Sequence, residues 1–189
     1  MATGPLSFDP IAEARRQWAL HWEGSDAMAA ATSIMRVQQI LLGVVDRALS
    51  ELGLTFARYE ALVLLHFSRQ GSLPLGKMGE RLQVHPTSVT NLVDRLEQQG
   101  LVRRTRHPTD RRTTLAEITE QGRVVVEKAS AAVVATGFAL DGLSPEDRTA
   151  LTAILRKARL HAGDFVPPPD PCGAGRAEPG PDLARCAGS

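Results

Sequence analysis

The feature that most constrains this chain is a change of hydrophobic period at Gly100. Between His85 and Gly100, apolar residues recur three and four positions apart, which predicts a half-buried helix with a polar outer face. After Gly100, residues 101–106 and 113–118 have strand-like composition and flank a short turn, which predicts a β-hairpin with a basic tip. A short helix over about 75–82 comes before both elements. The order helix, turn, helix and hairpin predicts a winged helix-turn-helix.

Longer helices are predicted on both sides of this module. Only 4% of the 189 residues are aromatic, so we expect a core of Leu, Val, Ile and Ala, which suits helices better than a sheet sandwich. The predicted fold class is therefore mainly α with a small β-hairpin wing. We predict an N-terminal extension with a short helix at 1–25, one winged domain at 26–163 with its DNA-binding module at about 55–118, and a disordered Pro- and Gly-rich tail at 164–189.

Several helix ends are predicted from capping residues. Thr55 is expected to cap the helix that starts at Phe56, and Thr119 the helix from about 121 to 138. Ser144 is expected to cap the last helix in a capping-box arrangement. The first helix should run from about Ile11 to Trp22, and the last should continue a buried face through Leu151, Ile154, Leu155 and Ala158.

The sequence argues against several classes of protein. No run reaches the roughly 18–20 consecutive apolar residues of a membrane span, and the first residues lack the pattern of a signal peptide, so we expect a soluble cytoplasmic protein. The two cysteines lie in the C-terminal tail and the five histidines are scattered, which predicts no disulfide framework and no metal site. No phosphate loop, nucleophile–base pair or paired carboxylates indicate an enzyme, and no cofactor is expected.

Charge is distributed unevenly although the formal net charge is only +1. The segment from Gly76 to Arg112 contains eight basic and four acidic residues, a balance of +4, so the remainder carries −3. A basic hairpin after a helix-turn-helix favours double-stranded DNA as the partner. The alternative is a winged-helix module that binds protein without binding DNA. That alternative predicts an apolar recognition surface, whereas Thr87, Ser88 and Asn91 are polar.

The residues of this module carry a family resemblance. The stretch 84–97, the segment 100–104 and the wing residues 110–112, followed by Leu115, Ile118, Thr119 and Gly122, resemble the MarR family of bacterial transcription regulators. The resemblance implies an obligate homodimer whose N- and C-terminal helices, at about 26–52 and 121–161, intertwine. It further implies a repressor that binds a pseudo-palindromic operator and is released by a small-molecule ligand.

The same resemblance assigns DNA-binding residues. Arg112 matches the wing-tip arginine that enters the minor groove, oriented by Asp110, whereas Arg103 and Arg104 match residues that contact phosphate or stabilise the wing. For Asp94 we expect an internal pair with a neighbouring arginine, because a carboxylate facing phosphate is repelled. His85 departs from the usual short polar cap. The predicted DNA-binding residues are Pro86, Thr87, Ser88, Thr90, Asn91, Arg95, Arg103, Arg104, Asp110, Arg111 and Arg112.

The effector predicted from the resemblance is a small aromatic ligand. The N-terminal extension resembles that of the urate-responsive branch, in which Trp18 and Glu60 match ligand-holding positions, while Leu92 stands where that branch has an arginine. The predicted ligand residues are Trp18, Trp22 and Glu60. The alternative is that both tryptophans only pack the extra helix onto the dimer. Oxidant sensing is disfavoured because it requires an accessible thiol near the module.

Overall fold

The computed structural model describes residue 4, residues 6–110 and residues 112–167. The described residues up to Gly142 form one compact unit, and those from Leu143 onward form another. The chain is mostly helical with one small antiparallel sheet, which confirms the predicted fold class. Its helices are α1 (Pro10–Ala19), α2 (Ser25–Ser50), α3 (Phe56–His66), α4 (Leu75–Leu82), α5 (Pro86–Gln98), α6 (Glu120–Ala135) and α7 (Pro145–His161), and its strands are β1 (Ser72–Pro74), β2 (Val102–Arg106) and β3 (Thr114–Ile118).

Two of the three predicted caps form as expected. The Thr119 hydroxyl accepts the N–H of Gly122, and Ser144 and Asp147 complete a capping box at the start of α7. The prediction for Thr55 was wrong in detail, because its side chain makes no capping hydrogen bond. The carboxylate of Asp46, on α2, accepts the N–H of Phe56 at 2.7 Å instead. A tertiary contact thus replaces the local cap.

Two helices end earlier than predicted. Helix α1 ends at Ala19 rather than near Trp22, and α6 ends at Ala135 rather than at Phe138. After α6 the chain forms a short turn, Gly137–Ala139, in which three consecutive residues have φ between 53° and 54°. Left-handed residues cannot continue a right-handed helix, so this turn ends α6.

The sheet contains a strand that the sequence analysis missed. Strand β3 lies between β1 and β2, and both pairings are antiparallel. Leu73 of β1 pairs with Ala116 of β3, so the wing is anchored at the segment that leads directly into α4. β1 is only three residues long and contains a proline, so neither its period nor its composition predicts a strand.

The hydrophobic core lies within the first unit. Leu49 of α2, Leu62 and Leu65 of α3, Leu96 of α5 and Val126 of α6 are fully buried. Burying such side chains contributes roughly 1.5–3 kcal/mol each before entropy is counted. The face of α5 that carries Val89, Val93 and Leu96 packs into this core, as its period predicts. The opposite face of α5 is thereby held at the surface.

The start of the wing packs unusually closely on the start of α6. A Cβ atom at Gly122 would lie 2.2 Å from the carbonyl oxygen of Leu101. The backbone N–H of Thr119 donates to that same oxygen at 3.0 Å, and the Thr119 hydroxyl donates to the Gly100 carbonyl at 2.7 Å. The absence of a side chain at Gly122 therefore allows α6 to begin against the base of the wing.

Helix α2 has an apolar stripe that the described chain leaves uncovered. Ile34, Val37 and Ile40 are 41–50% exposed although they share one side of the helix. By length and composition α2 is also apolar enough to cross a membrane. However, Arg36, Gln38 and Gln39 interrupt its apolar surface, and a one-sided stripe is typical of a helix that packs against protein.

Helix α7 does not show the burial that the sequence predicts. It has no fully buried residue in the described chain, and Ile154 of the expected buried face is 62% exposed. The spacing of Leu151, Ile154, Leu155 and Ala158 is that of an amphipathic helix, but in the described chain Leu151 and Leu155 are only half-buried and Ile154 and Ala158 are exposed.

Candidate nucleic-acid interface

Helix α5 has a polar outer face and a well-defined start. The imidazole Nδ1 of His85 accepts the backbone N–H of Thr87 at 3.3 Å, so His85 caps the helix despite departing from the usual short residue. Pro86 occupies the first turn. Thr87, Ser88, Thr90 and Asn91 are exposed, and Val89 and Val93 are buried beneath them. Short polar side chains on a fixed helix suit contact with base edges in a major groove.

Arg104 joins α5 to the wing. Its guanidinium forms ion pairs with Asp94, at 2.6 Å, and with Glu97, and its backbone N–H donates to Glu97 at 3.0 Å. The Arg104 side chain is only 26% exposed. Asp94 therefore has the internal arginine partner that the sequence predicts. The resemblance predicts that Arg104 either contacts phosphate or stabilises the wing. Its contacts with Asp94 and Glu97 are those of a residue that stabilises the wing.

Arg103 forms an ion pair across the hairpin. It lies directly opposite Glu117 in the register of β2 and β3. Its guanidinium donates to both carboxylate oxygens, at 3.1 and 2.6 Å, and this pairing holds the pKa of Glu117 below its usual range. Because the Arg103 side chain is 65% exposed, the pair orients Arg103 more than it stabilises the fold.

The wing turn holds Arg112 through its backbone. The Asp110 carboxylate accepts the Arg112 N–H at 3.0 Å and the Thr113 hydroxyl at 2.6 Å, and these bonds hold the pKa of Asp110 below its usual value. Asp110 is the residue that the resemblance predicts to orient Arg112, and it contacts the peptide N–H of Arg112. The Arg112 side chain is exposed, and Arg111 lies outside the described residues.

Cations that have no ion pair remain around these elements. Within residues 76–110 and 112, Lys77 pairs with Glu80, and Arg103 and Arg104 pair as above. Arg95 contacts only the neutral amide of Gln98, at 3.3 Å. Arg81 and Arg106 entered the charge count but not the predicted site. No sequence motif identifies Arg81 and Arg106 as candidate phosphate contacts. They are identified by their exposed side chains and by the lack of an acidic partner within these ranges. The unpaired cations in these ranges are Arg81, Arg95, Arg106 and Arg112.

Comparison with known proteins connects this geometry to a family. The MarR family model matches residues 54–114, from the start of α3 to the beginning of β3. Sco5413, a MarR family transcriptional regulator from Streptomyces coelicolor, has 55% sequence identity, and the match covers 76% of this chain and 100% of that one with a TM-score of 0.70. The chain belongs to the MarR family.

Other solved MarR-type structures show what such folds bind. Sco3205, a MarR family transcriptional regulator from Streptomyces coelicolor solved in complex with DNA, is 25% identical over 78% of this chain and 92% of its own, with a TM-score of 0.69. CouR from Rhodococcus jostii RHA1, solved with p-coumaroyl-CoA, is 29% identical over 74% of this chain and 95% of its own, with a TM-score of 0.63. This MarR-family chain is thus similar to DNA-binding transcriptional regulators.

The predicted ligand residues lie on two elements of this MarR-family chain. The Trp18 indole N–H donates to the Glu23 carbonyl at 2.9 Å, and its ring lies 5.0 Å from that of Trp22. These contacts give Trp18 a packing role at the turn between α1 and α2. Glu60 lies on α3, where burial raises the pKa of its carboxyl group. In the described chain no hydrogen bond or ring contact joins Glu60 to either tryptophan, and their ligand role stays a prediction.

Replacing Arg104 by alanine should destabilise the MarR-type module by about 1–3 kcal/mol, because the change leaves Asp94 and Glu97 without their shared partner. Urea unfolding measures this loss. Arg106→Ala is the matched control, since Arg106 lies on the same strand, is exposed and has no ion pair in the described chain, and it should shift stability by less than about 0.5 kcal/mol. Equal effects of the two substitutions would show that the Arg104 contacts do not stabilise the module.

Proposed function

We propose that this protein is a homodimeric repressor that binds a pseudo-palindromic operator through two winged modules. The observation that supports the proposal is that one module carries both a polar helix face held in place by packing and an exposed, unpaired arginine in the wing turn. The polar face of α5 is fixed by its buried stripe, and the unpaired Arg112 is held at the wing tip by Asp110. The first surface suits a major groove and the second suits phosphate or a minor groove. A module for binding protein would instead need apolar side chains at Thr87, Ser88 and Asn91.

The uncovered stripe of α2 supports the homodimer. Ile34, Val37 and Ile40 are apolar residues left about half exposed in the single chain, and a second copy would bury them. In this proposal residues 26–52 and 121–161 form the dimerisation region, residues 55–118 form the DNA-binding module, and residues 1–25 are an extension. The proposed tail at 164–189 falls outside the described residues from 168 onward. The cytoplasm is the proposed location, because the regulator acts where the DNA is.

The test of DNA binding uses Arg112→Ala. The probe is the tightest duplex selected in vitro from random duplexes of about 25 base pairs, which accommodate two half-sites one helical turn apart. We expect Arg112→Ala to weaken binding by about 1–2 kcal/mol in a fluorescence-anisotropy titration, about five- to thirtyfold in Kd. Binding by the parent protein should also weaken steeply with added salt.

The control for this test is Arg16→Ala, which removes an arginine of α1 outside the module and should leave the affinity unchanged. Salt-insensitive binding by the parent, or an Arg112→Ala variant with the parent's affinity, would contradict the proposed contact.

A small aromatic ligand is the proposed signal that releases the DNA. The support is that Trp18 and Trp22 present exposed ring surface beside one another, that desolvation raises the pKa of the Glu60 carboxyl group on α3, and that CouR binds p-coumaroyl-CoA. Oxidation is not proposed, because both cysteines, Cys172 and Cys186, lie within the last 18 positions of the chain, far in sequence from the module.

A thermal-shift screen of phenolic and purine acids tests the ligand site. We expect a bound acid to raise the Tm of the parent protein, since binding to the folded state alone stabilises it, and Trp18→Ala to remove most of that increase. Phe67→Ala, which removes an exposed aromatic ring on another segment, should retain it. A stabilisation that survives Trp18→Ala unchanged assigns Trp18 to packing only.

A further inference from the structure

The wing turn contains a histidine that serves as a hydrogen-bond acceptor for the backbone. The Nδ1 atom of His107 accepts the N–H of Asp110 at 3.2 Å and the N–H of Thr109 at 3.4 Å. A ring nitrogen that accepts a hydrogen bond carries no proton, so these two contacts require an imidazole without a proton on Nδ1. His107 lies in the predicted turn between residues 106 and 113, and the sequence alone assigns it no role.

His107 is connected to Arg112 through Asp110. The Asp110 residue donates its N–H to the imidazole, and its carboxylate accepts the N–H of Arg112 at 3.0 Å. The His107 N–H also donates to the Thr113 carbonyl at 3.1 Å, and the Thr113 N–H donates to the Asp110 carbonyl at 3.0 Å. The backbone of Arg112 is therefore fixed by a turn whose inner acceptor is the neutral imidazole.

Charged groups from two elements surround this imidazole. Asp110 and Arg112 belong to the turn, and Lys77 and Glu80 of α4 line the same groove as His107. Lys77 and Glu80 pair with each other at 2.7 Å, whereas the charge interaction with His107 is among the causes that lower the pKa of Asp110. The pKa of Asp110 is held low by the Thr113 hydroxyl and the Arg112 N–H, so its carboxylate stays ionised while histidine titrates.

Protonation would reverse the role of the ring. An imidazolium Nδ1 is a donor, so it can no longer accept the N–H groups of Thr109 and Asp110. The same positive charge attracts the Asp110 carboxylate. The imidazolium therefore competes with the N–H of Arg112 for that carboxylate. Both effects weaken the hydrogen bonds of Asp110 that hold the backbone of Arg112.

We propose that His107 is a positioning residue for Arg112, and that its protonation removes most of the contribution of Arg112 to DNA binding. This inference rests on the proposed contact between Arg112 and DNA. It makes the contact between the wing and DNA depend on the protonation state of the His107 imidazole.

The test compares the loss of DNA affinity caused by Arg112→Ala at about pH 8 and at about pH 5.5, in the full chain and with the selected duplex as probe. In the parent background, Arg112→Ala should weaken binding about tenfold at about pH 8 and less than about threefold at about pH 5.5. In a His107→Asn background the cost should be the same at both pH values, because an asparagine oxygen accepts the turn N–H groups and does not titrate. General attraction between protonated histidines and phosphate affects an Arg112→Ala variant and its parent equally. It therefore cancels in the ratio of their Kd values.

Each outcome decides one point. A cost that is unchanged between the two pH values in the parent background overturns the role of His107, and this arm does not depend on the folding of any His107 variant. A cost that falls with pH in both backgrounds also overturns it, because another group is then responsible. If Arg112→Ala has no effect even at about pH 8, the proposed DNA contact itself has failed.

Discussion

Replacing Ile40 by glutamate converts the proposed dimer into monomers and weakens operator binding by at least about 100-fold, because binding by two linked modules gains about 10²–10⁴ over one module. Ile40 lies in the exposed apolar stripe of α2 and is 44% exposed in the single chain, so the substitution leaves the fold of each chain intact. In the dimer, by contrast, it would bury a charge without a partner. Sedimentation equilibrium measures the change in mass, and fluorescence anisotropy measures the loss of affinity.

Met35→Glu is the matched control for this prediction. Met35 lies on the same helix, is 63% exposed, and points about 140° away from Ile40 around the helix axis. We expect this variant to remain dimeric and to bind DNA with the affinity of the parent protein. If both variants became monomeric, the dimer contact would not be confined to the stripe. If neither did, the α2 stripe would not be the dimer contact.

Gly122→Ala should destabilise the first unit by about 3 kcal/mol, near the upper end of what overpacking usually costs. The added Cβ would lie 2.2 Å from the Leu101 carbonyl oxygen and 2.8 Å from Ile118. The Leu101 atom belongs to the backbone and cannot rotate away, so relief requires α6 to move from the base of the wing. The Thr119 hydrogen bonds to Gly100 and Leu101 would lengthen with it. Urea unfolding measures the loss, which should appear as a lower midpoint with an unchanged slope.

Gly76→Ala provides the comparison for the glycine substitution. Gly76 is also helical, but a Cβ atom built there meets nothing within 4 Å. Alanine should therefore stabilise α4 by up to about 1 kcal/mol through its higher helix propensity. A Gly122→Ala variant that unfolds within about 1 kcal/mol of the parent would show that α6 shifts at little cost.

The module was predictable because its signals are local. The period change at Gly100, the proline at the start of α5 and the buried stripe of Val89, Val93 and Leu96 all depend on residues close in sequence. The Asp94 ion pair was also predictable, since a carboxylate on a DNA-facing helix needs a nearby cation. Which of its arginine neighbours would be the partner depends on the β2 position of Arg104, which sequence spacing does not specify.

The features that were not predicted depend on tertiary contacts. Strand β1 forms because Leu73 pairs with Ala116 of β3. Asp46 of α2 replaces Thr55 as the cap of α3 because its carboxylate accepts the N–H of Phe56. The acceptor role of His107 follows from the path of the turn and not from its composition. The period of α7 correctly indicates an amphipathic helix, but period alone does not tell whether the apolar face is covered within one chain or by another.

The internal ion pairs of the module also affect how the protein behaves on DNA that lacks an operator. Lys77, Arg103 and Arg104 are neutralised by acids of the same chain, and the whole chain carries a formal charge of only +1. Attraction to arbitrary sequences depends on neutralising phosphates, so the three paired cations contribute less to it than Arg81, Arg95, Arg106 and Arg112 do. We therefore expect only a small share of the protein to be held on bulk genomic DNA. A small number of molecules per cell should then be enough to keep an operator occupied.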